Sequence, residues 1–407
     1  MDRHPDLHFR ELPETDIDRA LALAYLVFHE SPEDDRRKHH HEMLRESARI
    51  GAYDGDRLVG SLAALRFTLS VPGGELPCAG VTMVNVAPTH RRRGVLSGMV
   101  AELYRRCGTE GWPLAALWAS EAVIYGRFGF GHGTRGQTIE IDSRTPLALR
   151  VSPDERPLRL VDPTEAPALL GPYYERTREL RAGRHARSEA WWREEWLVEK
   201  DEEDGDLSPP RIVALGDPLA GYAVYRTKSD GEGCGPVRVD ELEADTPAVA
   251  AALWRYLASI DLTGTVRAWG RPMDDPLQHL AADRDQVRVT SVFPSLWLRL
   301  VDVPGALRAR SWAADVDLVL DVTDTHLPAN SGPHRLTVSG GHASWEPAAG
   351  PADLALDVRE LASCYLGGTP VAELVRAGLV TEHTPGAAAA LDAALRTEYA
   401  PHTVDEF

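Results

Sequence analysis

A mixed α/β fold divided into more than one domain is predicted by three features of this sequence. Helix-period and strand-period apolar patterns alternate along the chain. Its 407 residues suffice for two or three domains at about 150 residues each. With 43% hydrophobic and 26% charged residues, it carries apolar material for more than one core. No run approaches the roughly 18 consecutive apolar residues of a membrane span, and the opening Met1-Asp2-Arg3-His4-Pro5-Asp6 has no apolar stretch that could serve as a signal peptide. Membrane and secreted proteins are therefore disfavoured. Cys78, Cys107, Cys234 and Cys364 are far apart, with no Cys-x-x-Cys pair and no His cluster at zinc spacing, so they read as reduced thiols in a cytoplasm and no metal is expected.

The first region opens with an amphipathic stretch, Asp16 to Phe28, then a polar break. Apolar Leu58 to Leu69 follows and runs into Val71-Pro72-Gly73-Gly74, which reads as a helix followed by a hairpin. Val81 to Val86 is a strand stopped by Pro88, Gly94 to Cys107 a helix, Leu114 to Trp118 a strand, and a short helix lies near Tyr125. A shift to Pro, Ser, Asp and Arg over Arg144 to Pro157 marks a linker. The second region has a helix from Glu165 to Arg181, then Trp191, Trp192 and Trp196, and an acidic loop, Lys200 to Asp206. Strands Gly221 to Arg226 and Val237 to Leu242 and a helix Pro247 to Ile260 complete it. Its strand, turn and helix order repeats the first region without a Gly- or Arg-rich turn, so it reads as a structural copy that binds no cofactor. The third region, from Trp297, holds strand Leu318 to Val322, a hairpin through Gly340-Gly341, strand Leu354 to Leu356, helices around Glu360, Val371 and Ala387, and an irregular tail. The domains are accordingly placed at 1–148, 149–296 and 297–407.

Charge narrows the partners. A formal net charge of −18 disfavours nucleic acid as the main ligand and draws cations such as polyamines, most strongly at low salt. His39-His40-His41 reads as a solvated basic stretch, since adjacent imidazoles on a helix point in different directions. Asp201-Glu202-Glu203-Asp204 reads as a solvated loop, and the three tryptophans as core or interface.

The segment with the most chemistry is Met83-Val84-Asn85-Val86-Ala87-Pro88-Thr89-His90-Arg91-Arg92-Arg93-Gly94-Val95-Leu96-Ser97. It joins a strand end to a helix start through a basic turn. Unpaired amides at a helix N-terminus, its dipole and flanking arginines can together hold a pyrophosphate, and Gly94 permits close backbone approach.

This segment resembles the Arg/Gln-x-x-Gly-x-Gly/Ala signature of the GCN5-related N-acetyltransferases, here Arg91-x-x-Gly94-x-Leu96, with Leu96 in place of the small residue. Ile124-Tyr125-Gly126-Arg127-Phe128-Gly129-Phe130 is similar to that family's last motif. Over the whole chain, two such domains, the second degenerate, precede a region whose Ala352 to Asp357 and Gly367-Gly368 to Val380 pattern looks like a sterol-carrier fold. With the terminal Glu406-Phe407, that layout resembles the Eis (enhanced intracellular survival) family. The resemblance implies that Val84, Asn85 and Val86 pair with the pantetheine of acetyl-CoA through a splayed strand. It implies that Arg91, Arg92, Arg93, Gly94, Val95, Leu96 and Ser97 hold its pyrophosphate, with Ser120 and Glu121 completing the cofactor site. Met83 and Glu406 would meet the substrate. The family also implies a homohexamer, Tyr125 as general acid and the terminal carboxylate of Phe407 as general base.

That chemistry suits acyl transfer to an amine, which must lose a proton to attack, while the leaving thiolate must gain one. A phenol with a reference pKa near ~10 can donate without prior ionisation, whereas an α-carboxyl near ~3.5 is a weak base unless desolvated. The expected activity is acetyl-CoA-dependent N-acetylation of aminoglycosides or related cationic polyamines, at one or more positions. Acetylation of protein or peptide lysines needs the same machinery. A reading of another class, a non-catalytic acyl-CoA or lipid-binding protein, would leave a fixed C-terminus without use.

Overall fold

The computed structural model describes residues 7–201 and 204–407, so Glu202 and Glu203 of the acidic loop lie outside the described residues. The chain forms two compact units, one of residues up to Thr134 with 296–398 and 405–407, the other of residues 135–295 with 399–404.

In the first unit the chain runs through β1 (Leu7–Glu11), α1 (Ile17–Phe28), α2 (Asp34–Glu46), β2 (Ala48–Asp54), β3 (Arg57–Val71), β4 (Gly74–Val86), α3 (Val95–Glu110), β5 (Leu114–Trp118), α4 (Ala122–Tyr125) and β6 (Gly131–His132). The long β3/β4 hairpin closes through Pro72-Gly73, where Gly73 takes φ 78°, a turn position suited to glycine. Alternation along the strands gives the sheet two apolar faces. Met99, Val100, Leu103 and Cys107 of α3 cover Ile50, Ala52, Leu62 and Ala64. Ile17, Ala20 and Leu21 of α1 cover Tyr53, Leu58 and Ala63 on the other side. The polar break after α1 is a helix rather than a loop: α2 buries only His40 and Leu44. His40 is 8% exposed, with its Nδ1 2.9 Å from the Tyr25 hydroxyl. It is not solvated as expected, because an imidazole occupies the core-facing position that an aliphatic would normally mark.

The second unit holds β7 (Arg135–Asp142), β8 (Leu158–Val161), α5 (Ala166–Arg178), α6 (Glu189–Trp191), β9 (Arg211–Leu215), β10 (Gly221–Thr227), β11 (Gly235–Ala244), α7 (Pro247–Leu257), β12 (Thr263–Pro272), α8 (Leu277–Leu280) and β13 (Val287–Pro294). Its sheet runs β13-β7-β12-β11-β10-β9-β8. The parallel β11/β12 pair joined by α7 repeats the β4-α3-β5 crossover. The helix start differs: the Thr246 hydroxyl caps α7 by accepting from the Val249 amide, and Pro247 follows, so this terminus satisfies itself. Trp192 is core beside Tyr174 and Tyr222. The Arg187 guanidinium lies 4.6 Å from the Trp192 ring and 4.0 Å from that of Trp196. In the acidic loop Asp201 pairs with Arg238 at 2.5 Å and Asp204 with Lys228 at 2.8 Å. Those two carboxylates are engaged rather than simply solvated.

The chain then returns to the first unit with β14 (Leu296–Leu300), α9 (Val303–Ala309), β15 (Val316–Thr323), β16 (Gly332–Ser339), β17 (His342–Pro347), β18 (Leu354–Asp357), α10 (Val358–Tyr365), α11 (Val371–Arg376), β19 (Val380–Glu382) and α12 (Ala387–Leu395). Strands β15 to β19 make a separate sheet, ordered β17-β16-β15-β18-β19. The first sheet is ordered β1-β2-β3-β4-β5-β14-β6, so β14 joins it instead of starting the C-terminal region. Likewise β7, expected in the first domain, pairs with β12 and β13. Strand periodicity announces a strand but not its partner, so both ends differ from the sequence expectation. The four cysteines are free, with Cys234 exposed and the others buried. No helix among the described residues is long and apolar enough to cross a membrane.

Candidate active site

The site begins where β4 leaves β5. Their parallel pairing is confined to Cys78↔Leu114, Ala79↔Ala115 and Gly80↔Ala116, while β4 stays on β3 to Val86. Past Gly80, the β5-facing edge of β4 has no strand partner among the described residues. Two features open the gap. The register slips so that Ser61 faces Asn85 but Ala63 faces Thr82, and Met83 takes φ 49°, the signature of a bulge that twists its strand. On the β5 side, Trp118 to Leu114 are taken by β14.

Of the expected strand residues, Val84 and Val86 pack against the α3 core, whereas Met83 packs against the core on the α1 side. Asn85 is 2% exposed and points inward. Its amide donates to the Ser61 hydroxyl at 2.8 Å and to the Met83 carbonyl at 2.9 Å. Its amide nitrogen thus stabilises the bulge, while its Oδ1 is buried without a hydrogen-bond partner among the described residues.

The basic turn follows. Arg92 at φ 62° and Gly94 at φ 81° fold it back onto α3, whose first intrahelical bond is Gly98 N–H to the Gly94 carbonyl at 3.0 Å. No side chain of a described residue caps the helix, so the amides of Val95, Leu96 and Ser97 are open to an anion, a placement the macrodipole reinforces. The three arginines are not equivalent. Arg91 and Arg92 are exposed and Arg93 half-buried. Arg93 turns to Asp54 at 3.7 Å, and the same carboxylate oxygen lies 3.1 Å from His90 Nε2. Arg93 braces the turn, whereas Arg91 and Arg92 make no ion pair with a described residue. Leu96 packs half-buried against the α3 core.

Tyr125 ends α4 and is 7% exposed, edge-on to Phe130 at 6.0 Å. Its hydroxyl makes no hydrogen bond to any described residue. Burial, and after it the charge of Glu121, push the phenol up to about 12. Ser120 and Glu121 lie exposed just ahead of α4.

The tail reaches the same end of β5. Trp118 Nε1 donates to the Asp405 carbonyl at 2.6 Å. The Phe407 ring meets Phe67 edge-on at 4.8 Å. Phe67 in turn lies over Gly80, where a Cβ would come within 2.3 Å of its ring. Glu406 is exposed and Phe407 half-buried. Nothing local in the sequence marks Trp118, Phe67 and Gly80 as neighbours of a tail roughly three hundred residues or more away. Among the described residues no group of three or more His, Cys, Asp or Glu side chains could hold a metal.

A sheet that opens beside an uncapped, arginine-flanked helix start, followed at the next crossover by a buried phenol, is the architecture of a GCN5-related N-acetyltransferase. Models of the acetyltransferase (GNAT) domain match residues 8–133 and 183–300, and a sterol carrier protein domain matches 303–404. An uncharacterized N-acetyltransferase of Streptomyces avermitilis is 41% identical, covering 86% of this chain and 87% of its own. N-acetyltransferase Eis of Mycobacterium tuberculosis is 37% identical over 88% of each chain. The crystal structure of Eis1 from Mycobacterium abscessus superposes with a TM-score of 0.87 at 33% identity, covering 98% of this chain and 100% of that one. The chain belongs to the Eis family of N-acetyltransferases, and it is an acyltransferase enzyme.

Proposed function

We propose that this enzyme transfers the acetyl group of acetyl-CoA to amino groups of aminoglycosides or related polyamines, at one or more positions. The observation that carries the reading is Tyr125, a buried phenol with a free hydroxyl at the turn after β5. Acetyl-CoA lies along the open edge of β4, its pantetheine amides pairing with the backbone of Val84 to Val86. Its pyrophosphate sits on the amides of Val95, Leu96 and Ser97, with Arg91 and Arg92 alongside and Ser120 and Glu121 near the acyl end. The substrate ammonium gives a proton to the Phe407 carboxylate, directly or through water. The free amine attacks the thioester carbon, forming the C–N bond. Collapse breaks the C–S bond and Tyr125 protonates the departing thiolate; the second amine proton passes through solvent to restore the phenol, and the Phe407 carboxyl releases its proton to solvent, so that one proton is lost overall. Glu406 and Met83 border the amine, and the net charge of −18 favours a cationic substrate. The role of Phe407 requires its carboxylate to be free, which the intact mass of the protein checks. A cytoplasmic homohexamer is part of the same reading, supported by family membership.

The test follows thiol release from acetyl-CoA with a panel of aminoglycosides and simple polyamines, and counts the acetyl groups added by mass. One or more acetyl groups on an aminoglycoside is the expected result. Silence across the panel, with turnover on a lysine peptide, would move the substrate to protein. Silence on both, with acetyl-CoA bound, would favour a sensor. Arg92→Ala is expected to raise the acetyl-CoA KM about fivefold by removing one charge-assisted hydrogen bond at an exposed position. An unchanged KM would place the pyrophosphate elsewhere.

A further inference from the structure

The turn that follows Tyr125 is held by donors from well outside its own motif. Gly126 to Phe128 form a single 3-10 turn closed by Gly129 at φ 83°, and its carbonyls are all engaged. The Gly126 carbonyl accepts from the Gly129 amide at 3.0 Å. The Phe128 carbonyl accepts from the Tyr104 hydroxyl at 2.6 Å. The Arg127 carbonyl lies 2.9 Å from Nε2 of His326, a residue of the sterol-carrier-like region. A ring nitrogen facing a carbonyl must carry the proton, so this contact selects the Nε2–H tautomer. The His326 ring also packs 5.4 Å from that of Phe128.

His326 is itself set in place. Asp324 Oδ1 accepts from the backbone amides of His326 at 3.1 Å and Leu327 at 3.0 Å. Its Oδ2 accepts from Arg299 Nη2 at 2.5 Å and Asn330 Nδ2 at 2.9 Å. The Arg299 and Asp324 side chains are 0% and 1% exposed. Burial would raise the Asp324 carboxyl, but Arg299 and Asn330 hold it below the usual carboxylate range. Arg299 stands on β14 directly against the turn: a Cβ at Gly129 would come within 2.7 Å of its Nη1. The path from Arg299 through Asp324 to the His326 loop and the Arg127 carbonyl is thus a chain of charge-assisted and backbone hydrogen bonds that ends two residues from the phenol.

We propose that His326 is a positioning residue for Tyr125, so that the sterol-carrier-like region of this enzyme contributes to catalysis by fixing the turn that aims the proton donor. The inference rests on the acid role given to Tyr125 above. It explains why a half-buried histidine is aimed at a backbone carbonyl of that turn while Asp324 orders its loop.

A double-mutant cycle with Tyr125→Phe tests it, because a group acting through the phenol loses its effect once the phenol is gone. His326→Ala is expected to lower kcat about tenfold, the worth of one well-placed hydrogen bond, with the acetyl-CoA KM unchanged. His326→Gln, whose amide can reach the same carbonyl, should recover to within about threefold of the parent. In the Tyr125→Phe background His326→Ala should add less than about twofold. The same fold loss in both backgrounds, or no loss from His326→Ala in the parent, would overturn the proposal. Should the alanine variant fail to fold, His326→Met, of similar bulk without a donor, takes its place against His326→Gln. Parental turnover in Tyr125→Phe alone would remove the acid role first, and this inference with it.

Discussion

Tyr125→Phe is expected to lower kcat by about 10² to 10⁴, the usual contribution of a positioned general acid, while the acetyl-CoA KM stays within about threefold, as expected when an interaction made only in the transition state is lost. The substitution removes one oxygen. The ring stays buried at 7% exposure beside Phe130, and the hydroxyl has no hydrogen bond to a described residue to forfeit, so folding should be nearly unaffected and a melting curve serves as control. The pH profile sharpens the test. An acid works in its protonated form, and with its pKa pushed up to about 12 the phenol remains protonated through the neutral and mildly alkaline range. No fall of kcat attributable to this group is therefore expected between pH 7 and about 10. A fall with its midpoint near the ordinary phenol value, abolished in the phenylalanine variant, would contradict the burial that the structure assigns. Undiminished turnover in the variant would give the proton to water instead.

Adding one glycine after Phe407 is expected to cut turnover by about 10² or more, again the scale of a general base, with acetyl-CoA binding retained. The argument is geometric. Trp118 fixes the Asp405 carbonyl and Phe67 the Phe407 ring, so an added residue leaves both anchors in place but turns the Phe407 carboxylate into a neutral amide and carries the charge one residue further. A binding measurement on the extended protein separates this from damage to the fold. Equal turnover would show that water or another group takes the amine proton.

Much of the β4-α3-β5 crossover was legible in the sequence, because its information is local. Met99, Val100, Leu103 and Cys107 repeat at helical spacing, Pro88 stops the strand, and Gly94 marks a position where φ reaches 81°. The turn after Tyr125 was legible for the same reason. The bulge at Met83 was not, since a methionine with positive φ is dictated by the register of β3 against β4 and not by its own preference. Nor could sequence tell that Arg93 faces Asp54 while Arg91 and Arg92 do not, because the partner lies across the β2 end. The unlike roles of the three arginines and the link from His326 to Arg127 arise from packing between segments far apart in the chain.

The place of β14 bears on how the enzyme is made. This strand pairs with β5 and β6, with Leu298 opposite both Ala116 and Gly131, so the first sheet stays incomplete until the ribosome has passed Leu300. At translation speeds of some 5–20 residues per second, that leaves β5 without β14 for roughly nine to thirty-six seconds. Through that interval Leu114-Ala115-Ala116-Leu117-Trp118 would present an apolar, unpaired strand edge, the kind that recruits other chains. The intervening unit can meanwhile close its own sheet with β7, which is synthesised before it. Yield in a foreign host should therefore depend on chaperone capacity and growth temperature more than on the final stability of the fold, and a fragment released at Thr134 would retain that open edge permanently.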